Sequence, residues 1–449
     1  MSSLRFASGA GLAAVIACHT GSALAQGDSE SVSNALMEEV TVTATKKPQA
    51  ESVQEVPLAV NAFGADQLDA LQVRDLASLS FKMPNVQLDD IGTTKGVANF
   101  TMRGLGVNSS IPSIDPAVGV FVDGVYLGIN AGVIFDTFDL DSVEALRGPQ
   151  GVLFGRNVTG GAVLMNTGDP TDELTVKTKA TVDSGLRSTG TNYILQGVIS
   201  GPIVKDRLSA KIGLYYNDDG GWFTNLADGS DFGESETTIV RGALKFTPTD
   251  FVEIIAKYEN GSSDNQGPAA QSHTNGLGLD GQIVNFDRDS FDFAIDEPGF
   301  SNADWDQFSA EINIDVPFGD GRITNIFGFR QFEQGARSDI DASPEWFFHA
   351  NILVDQDQFS NELRYSGRFA DGRLGVTTGI YFFTQELQYS EQRDLLGVLT
   401  GGVAPAVTQD GGGIQDHDTF GVFAQAEYDL TDRLTFNAGV RYTEETKDV

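Results

Sequence analysis

The stretch Glu144–Ala162 reads E-A-L-R-G-P-Q-G-V-L-F-G-R-N-V-T-G-G-A and combines five glycines with a short apolar run. A disordered linker lacks such apolar content, and a hydrophobic core strand lacks so much glycine. The composition therefore predicts ordered, tightly turned backbone in which small residues let other parts of the chain approach closely.

Three further motifs precede this stretch. They are Met83–Gln87 (M-P-N-V-Q), Phe100–Gly106 (F-T-M-R-G-L-G) and Asp115–Tyr126 (D-P-A-V-G-V-F-V-D-G-V-Y). In the last of them, Asp123-Gly124 lies between apolar arms, which is typical of a hairpin turn. The apolar residues of Ala65–Leu79 have a roughly helical spacing and predict a helix there. Residues 53–166 are therefore expected to form a mixed α/β unit of single-domain size.

In this order, the motifs closely resemble the plug domain of TonB-dependent outer-membrane receptors. The resemblance covers about residues 40–166 and is specific, because several motifs match in succession. One departure is that Asn166–Pro170 lacks the lysines that usually follow in the family. The resemblance implies a plug domain at residues 51–168 and an antiparallel transmembrane β-barrel from residue 169 onwards.

The resemblance also implies a binding segment for the energy-transducing TonB protein. Residues Val40, Thr41, Val42, Thr43 and Ala44 look like a TonB box, which stands before the plug in this family. Val-Thr-Val-Thr is strand-prone, and such a segment can add to the edge of a partner's sheet through backbone hydrogen bonds. From spacing alone, the alternative is an ordinary edge strand.

Two arginine–glycine pairs are candidates for contacts between plug and barrel. They are Arg103 with Gly104 and Arg147 with Gly148. An arginine can form paired hydrogen bonds with a carboxylate, and the adjacent glycine permits close backbone approach. In the resembled family such pairs contact acidic barrel residues, and Glu427 or Glu362 could serve here. The alternative is a surface arginine beside a turn.

The N-terminus has the features of a secretory signal peptide over residues 1–25. A basic residue and a mostly small, apolar run are followed by Ala23-Leu24-Ala25, the expected cleavage motif. A lipoprotein signal is the weaker alternative, because the residues before Cys18 match a lipobox poorly. Cys18 is the only cysteine, so the mature chain has no thiol for disulfides, metal binding or catalysis. Residues 26–50 are predicted to be a flexible segment that contains the TonB box.

From about residue 174 the hydrophobic pattern changes to a period of two, which predicts β-strands. The alternation indicates about eleven strands, near 174–184, 190–201, 207–217, 237–247, 250–260, 306–316, 322–334, 356–367, 372–390, 417–430 and 433–445. Every second connection is short, and the others are mostly long, polar and acidic. Short turns on one side and long loops on the other are typical of outer-membrane barrels.

The strand count leads to an expectation about completeness. With eleven strands, the first and the last run in the same direction, whereas bacterial barrels have an even number of antiparallel strands. Plugged transporters have about 22 strands. We therefore expect about half of a barrel here, as a truncated sequence with an incomplete barrel.

Composition excludes several function classes. Acidic residues outnumber basic ones 63 to 29, for a formal net charge of −34, which disfavours nucleic acid as a partner. The glycine-rich run lacks the Gly-Lys-Ser/Thr of a phosphate-binding loop. No catalytic triad or zinc signature is present in the sequence, so we predict no enzyme activity and no catalytic residues.

We also predict no metal site and no cofactor. His273, His349 and His417 fall in or beside the predicted outer loops and are interpreted as solvated. The acidic cluster within Asp287–Glu297 lacks the spaced ligands and the glycine of a calcium loop and is interpreted as a solvated loop. Trp305 is assigned to the aromatic girdle at the membrane interface.

The sequence thus predicts a TonB-dependent receptor in the outer membrane of a Gram-negative bacterium, with an α/β plug followed by barrel strands. The resemblance implies, as the usual function of this family, energised uptake of a ferric siderophore. Related receptors take up vitamin B12 or carbohydrates, and nothing in the sequence selects a ligand or the residues that contact it. The alternative from another class is a passive porin-like or adhesin-like surface barrel.

Overall fold

The computed structural model describes residues 41–49, 51–54, 56–133, 138–184, 190–273, 286–287, 289–431 and 433–449. The predicted signal peptide, and Val40 of the predicted TonB box, lie outside these residues. Two parts follow one another along the chain: a mixed α/β plug and a large antiparallel sheet, which we call the wall. The predicted boundary at residues 168–169 falls between the last strand of the plug and the first strand of the wall.

The plug contains ten short strands and three short helices among the described residues. The strands are β1 (Thr41–Val42), β2 (Glu51–Ser52), β3 (Val60–Gly64), β4 (Val86–Asp90), β5 (Ala98–Met102), β6 (Leu105–Gly106), β7 (Val118–Val122), β8 (Val125–Tyr126), β9 (Leu140–Arg147) and β10 (Gly161–Thr167). The helices are α1 (Ala65–Ala70), α2 (Leu76–Ser80) and α3 (Gly151–Phe154). Within the described residues, no helix has the length and apolar character that crossing a membrane requires.

The central plug sheet has the strand order β3-β9-β10-β7-β8. Its apolar residues pack against α1, α2 and the sheet of β4, β5 and β6, and form the main core of the plug. The Glu144–Ala162 stretch supplies β9, α3 and the start of β10. Its glycines permit the predicted close approaches: a Cβ on Gly161 would lie 2.2 Å from the Leu146 carbonyl oxygen.

Two local predictions in the plug have different outcomes. The Asp123-Gly124 hairpin is present, since both residues have positive φ and Val122 pairs with Val125 across the turn. The single helix predicted over Ala65–Leu79 is wrong, because the chain forms α1 and α2 with a break between them. The break occurs where Gln72 adopts φ 52°, and α2 then begins with a capping box between Asp75 and Ser78.

The predicted plug and antiparallel strands are confirmed. The wall has eleven strands among the described residues, each paired antiparallel with its sequence neighbours in the sheet. They are β11 (Thr175–Asp183), β12 (Asn192–Val204), β13 (Leu208–Asp219), β16 (Ser235–Thr249), β17 (Val252–Asn265), β19 (Phe300–Val316), β20 (Gly321–Asp339), β21 (Phe348–Phe369), β22 (Leu374–Leu395), β23 (Val407–Thr431) and β24 (Leu434–Asp448). Three short strands, β14 (Phe223–Asn225), β15 (Ser230–Phe232) and β18 (Asp292–Phe293), form a separate small sheet in the long connections.

The short connections of the wall all lie at one end, which we call the turn end, and the long connections lie at the other, the loop end. Several strands are longer than the sequence predicts, and the added residues lie mostly at the loop end, as in β21 and β23. Crossing a bilayer takes about 9–11 tilted residues, so the hairpins of the longest strands extend well beyond that length. Strands β11 and β24 occupy the edges, and no pairing closes the sheet in the part of the chain that is described.

The wall has its apolar residues outside and its polar residues inside. On β13, Ile212 and Leu214 are about half exposed, whereas Ser209 and Lys211 are buried. On β19, Gln307 and Ser309 are buried in the same way. This is the reverse of a water-soluble sheet and is typical of a strand that faces lipid on one side and a polar interior on the other.

Candidate coupling site and plug–wall contacts

The residues that follow Val40 lie against the plug and the wall, and we call Thr41–Pro48 the docked segment. Strand β1 pairs with β2, with Thr41 opposite Ser52 and Val42 opposite Glu51. Val42 and Ala44 are fully buried. The docked segment is part of the stretch 26–50 that was predicted to be flexible, but in the structure it has defined pairing and packing partners.

Glu144 holds the middle of the docked segment. Its Oε1 accepts hydrogen bonds from the Thr43 backbone amide and hydroxyl, both at 2.8 Å, and its Oε2 accepts one from the Ala44 amide at 3.2 Å. Glu144 lies on β9, between β3 and β10, and its side chain is fully buried. Burial raises the pKa of Glu144, although the three hydrogen bonds act in the opposite direction. A buried carboxylate whose acceptors are used in this way fixes the backbone that donates to it.

Two lysines tie the end of the docked segment to the turn end of the wall. Lys46 Nζ lies 2.6 Å from Glu362, and Lys47 Nζ lies 2.7 Å from Glu427. Ser366 adds a hydrogen bond of 2.9 Å to the Lys46 carbonyl oxygen. Burial lowers the pKa of Lys46 to about 8, although the charge of Glu362 acts to raise it. The two carboxylates that the sequence suggested as plug partners therefore do receive cations, but from the docked segment.

The predicted arginine–glycine pairs lie elsewhere. Arg103 and Gly104 form the hairpin turn between β5 and β6, where both have positive φ, and Arg103 is exposed. Arg147 Nη1 donates to the Pro84 carbonyl oxygen at 3.3 Å, within the plug, and Gly148 is buried beside the Arg103 guanidinium. Within the described ranges neither arginine forms an ion pair with the wall, so their role in plug–barrel contact stays a prediction.

Most of the ionic contacts between the wall and the plug come from lysines of the wall. Sequence reasoning did not identify these lysines as contact residues. Lys257 Nζ lies 2.9 Å from Asp123, 2.8 Å from Asp169 and 2.8 Å from the Thr167 carbonyl oxygen. Lys211 Nζ lies 2.6 Å from Asp139. The inward position of these lysines could have been predicted, because the period-two pattern places Lys211 and Lys257 on the polar face of their strands.

A third ionic cluster joins the plug to the last two strands. Asp115 lies 2.5 Å from Arg156 of the plug and 2.7 Å from Lys447 of β24. Burial alone would raise the pKa of Asp115, but the hydrogen bond from Lys447 and the nearby positive charges lower it below its ordinary value. His417 of β23 is buried against Arg156. The prediction that His417 is solvated is therefore wrong, because the residue belongs to the inner face.

Glutamine side chains of the wall bind the plug backbone directly. Gln358 accepts a hydrogen bond from the Gly128 amide at 2.9 Å and donates one to the Tyr126 carbonyl oxygen at 2.6 Å. Gln356 links Gln358 to Gln385 through bonds of 2.9 and 3.0 Å. A Cβ on Gly128 would lie 2.0 Å from Gln385, so the glycine permits this close approach.

A cavity of about 250 Å³ lies between the plug and the loop-end half of the wall. The plug contributes Asp90 and Lys95, and the wall contributes mostly hydroxyl and amide side chains. Burial raises the pKa of Asp90 to about 6 and lowers that of Lys95. Trp305 also lines the cavity and donates to Glu259 at 2.7 Å. Its assignment to the lipid-facing girdle is therefore wrong, because it shares the inward face with Gln307.

We expect Glu144→Gln to release the docked segment. The amide would replace a charged acceptor of three hydrogen bonds, and each hydrogen bond to a charged group contributes about 1.5–3 kcal/mol. Hydrogen exchange of the Thr43 and Ala44 amides should therefore accelerate at least about tenfold. Mass spectrometry of peptides from this segment would measure the exchange. Glu173→Gln, the same change at an exposed site, is the matched control, and equal exchange in both variants would refute the assigned role of Glu144.

Comparisons with known proteins agree with this architecture. A family model described as the TonB-dependent receptor plug domain matches residues 52–162. A second model, described as a TonB-dependent receptor-like β-barrel, matches residues 205–449. The pesticin receptor of Yersinia pestis is 28% identical over 214 residues, which cover 47% of this chain and 30% of that receptor. The pesticin receptor of Yersinia enterocolitica is 29% identical over 210 residues, with shares of 46% and 30%.

Solved structures share the fold. The ferric yersiniabactin uptake receptor of Yersinia pestis has a TM-score of 0.72 at 21% identity, covering 87% of this chain and 57% of that one. The ferripyoverdine receptor of the outer membrane of Pseudomonas aeruginosa also has a TM-score of 0.72, at 13% identity, with shares of 91% and 54%. The match thus spans slightly more than half of these solved receptors and under a third of the pesticin receptors.

Proposed function

The chain belongs to the TonB-dependent receptor family, and from this premise we propose that it serves energised uptake of a scarce nutrient across the outer membrane of a Gram-negative bacterium. The family is one of receptors and transporters and not of enzymes. A ferric siderophore is the first candidate ligand, because solved receptors of the same fold carry ferric yersiniabactin and ferripyoverdine in their descriptions.

The observation that carries the proposal is the docked segment held by Glu144. A strand-forming stretch at the turn end, hydrogen-bonded to the central sheet of the plug, is a connection through which a partner can act on the plug. We propose that TonB adds a strand to residues 40–44 and withdraws them from Glu144. Backbone hydrogen bonds supply the affinity in this mode of recognition, so little side-chain specificity is needed.

The proposed location in the outer membrane is supported by the outward apolar face of the wall. Large side chains such as Leu195, Ile199 and Ile212 are about half exposed there, and they recur at every second position. A contiguous apolar face of this kind is unfavourable in water and suits contact with lipid.

The test is uptake of radiolabelled iron complexes by cells that express the receptor, with and without a protonophore. We expect one class of ferric siderophore to be bound and accumulated, and accumulation alone to stop when the proton gradient is removed. Vitamin B12 and labelled oligosaccharides serve as parallel ligands. Uptake that continues without the gradient and does not saturate would overturn the proposal in favour of a passive barrel.

A further inference from the structure

A compact group of metal-binding side chains lies at the loop end, far from the docked segment. Asp296 lies in the connection between β17 and β19, Asp339 ends β20, and His349 is near the start of β21. One ligand atom from each of the three lies within 4.8 Å of the other two. His349 Nε2 lies 3.0 Å from Asp296 Oδ1. Residues that are distant in sequence thus present one nitrogen and two carboxylates to one point.

Two members of this group are buried and incompletely satisfied. Asp339 is 2% exposed and His349 is 3% exposed, so the prediction that His349 is solvated is wrong. The Oδ1 of Asp339 accepts a hydrogen bond from the Ala342 amide at 2.8 Å, and among the described residues Oδ2 has no donor other than the facing Asp296 carboxyl group, which can bond to it only if one of the two is protonated. His349 Nδ1 is likewise without a hydrogen bond in that part of the chain. Buried polar atoms without partners are rare in folded proteins and require an explanation.

The surrounding loops fix the positions of these side chains. The His349 ring stacks on Trp346 with a centroid distance of 4.8 Å and an interplanar angle of 6°. Trp346 in turn donates to the Asp394 carbonyl oxygen at 3.2 Å. The Asp296 amide donates to the Ser343 carbonyl oxygen at 3.2 Å. These contacts fix the His349 ring and the Asp296 backbone before any ion binds, as a preorganised metal site requires.

An ion pair between His349 and Asp296 explains less of the arrangement than a bound metal ion would. A protonated His349 would pair with Asp296, but Glu297 lies 4.0 Å from Nδ1 and is already paired with Arg337 at 2.5 Å. The ion pair also leaves the second carboxyl group, Asp339, facing Asp296, and without a cation between them these two groups must share a proton. A bound divalent cation would compensate both carboxylates at once.

We propose that Asp296, Asp339 and His349 bind a divalent transition-metal ion, such as Zn²⁺, that joins two connections at the loop end. An imidazole nitrogen with two carboxylate oxygens is a donor set that suits Zn²⁺, and the imidazole disfavours Ca²⁺ and Mg²⁺. The ion would link the 266–299 connection to the β20–β21 hairpin. The site is separate from the docked segment and does not depend on which ligand the receptor carries.

The test is titration of metal-stripped, detergent-purified receptor with Zn²⁺ by calorimetry. We expect one saturable site that Ca²⁺ at equal concentration does not fill. Asp339→Asn and His349→Ala should each weaken it at least about tenfold. His273→Ala, which removes an exposed imidazole of the same long connection, is the matched control and should leave binding unchanged. Zn²⁺ should also slow hydrogen exchange in peptides that contain Asp296.

Three outcomes would overturn the proposal. They are the absence of saturable binding, equal binding by Ca²⁺, and an affinity that changes no more in His349→Ala than in His273→Ala. If either ligand variant fails to fold, X-ray absorption of the Zn²⁺-loaded wild-type receptor decides. A spectrum that shows one imidazole nitrogen and carboxylate oxygens as Zn²⁺ ligands would support the site. A spectrum that shows no imidazole ligand would refute it.

Discussion

Deleting Val40–Ala44 is expected to abolish energised uptake and to leave ligand binding at the cell surface unchanged. The deletion removes the strand that a partner would pair with, together with the Thr43 and Ala44 donors to Glu144. Strand addition relies on backbone hydrogen bonds, so loss of the whole stretch removes the binding surface. Accumulation of a labelled ligand should fall to the level of cells without the receptor.

The matched control is deletion of Ser31–Ala35, which shortens the chain by the same number of residues before the predicted TonB box. This variant should transport normally, since it retains the docked segment and its contacts. Binding to whole cells at low temperature, where uptake stops, shows that both variants reach the surface. Normal uptake after deletion of Val40–Ala44 would favour a passive barrel and would remove the basis for the proposed coupling.

Lys257→Met is expected to lower the free energy of unfolding by about 3–5 kcal/mol, because removing one partner of a buried ion pair leaves the other charge uncompensated. Lys257 and Asp123 are only 15% and 12% exposed, and their closest atoms lie 2.9 Å apart. The substitution would also leave Asp169 and the Thr167 carbonyl oxygen without this donor. Urea unfolding of the receptor in lipid vesicles would measure the loss.

Two further variants make this result specific to the plug–wall contact. Lys257→Met combined with Asp123→Asn should recover part of the loss, since the unpaired charge is removed as well. Lys245→Met is the matched control, because Lys245 lies on the neighbouring strand and its ion-pair distances are both 3.8 Å. An equal loss in Lys245→Met, or no recovery in the double variant, would contradict the assigned role of Lys257.

The strands of the wall could be predicted because their signal is local. Alternation along Leu208–Tyr216 already separates the lipid-facing residues from the inner ones, and the short turns set the register of each hairpin. The same alternation places Lys211 inward, although its pairing with Asp139 depends on how the plug is seated. The extension of β23 beyond its predicted start could not be predicted, because the added residues are polar or glycine and lack an apolar face that would mark them. The extension of β21 did carry a signal that the prediction missed, since Ala350, Ile352 and Val354 alternate and are buried.

The contacts of the site were harder to predict because they are long-range. Glu144 meets Thr43 and Ala44 across about a hundred residues of sequence, and no periodicity relates the two. The motif around Arg147 predicts a contact with the wall, whereas its observed hydrogen bond to the Pro84 carbonyl oxygen lies within the plug. The burial of His349 depends on three connections that converge at the loop end, and a single sequence carries little information about how such loops meet.

The order of contacts along the docked segment has a mechanical consequence. A pull applied at residue 40 would open the two-residue ladder of β1 and the bonds to Glu144 one after another, as in peeling. It would then load Lys46 and Lys47, which are anchored in the wall, so the barrel would bear the tension and the central sheet would not. After both anchors give way, residues 49–59 can extend to at most about 40 Å before force reaches β3. A pull over a short distance would therefore leave the central sheet of the plug in place, and only a pull sustained over a longer distance would act on it.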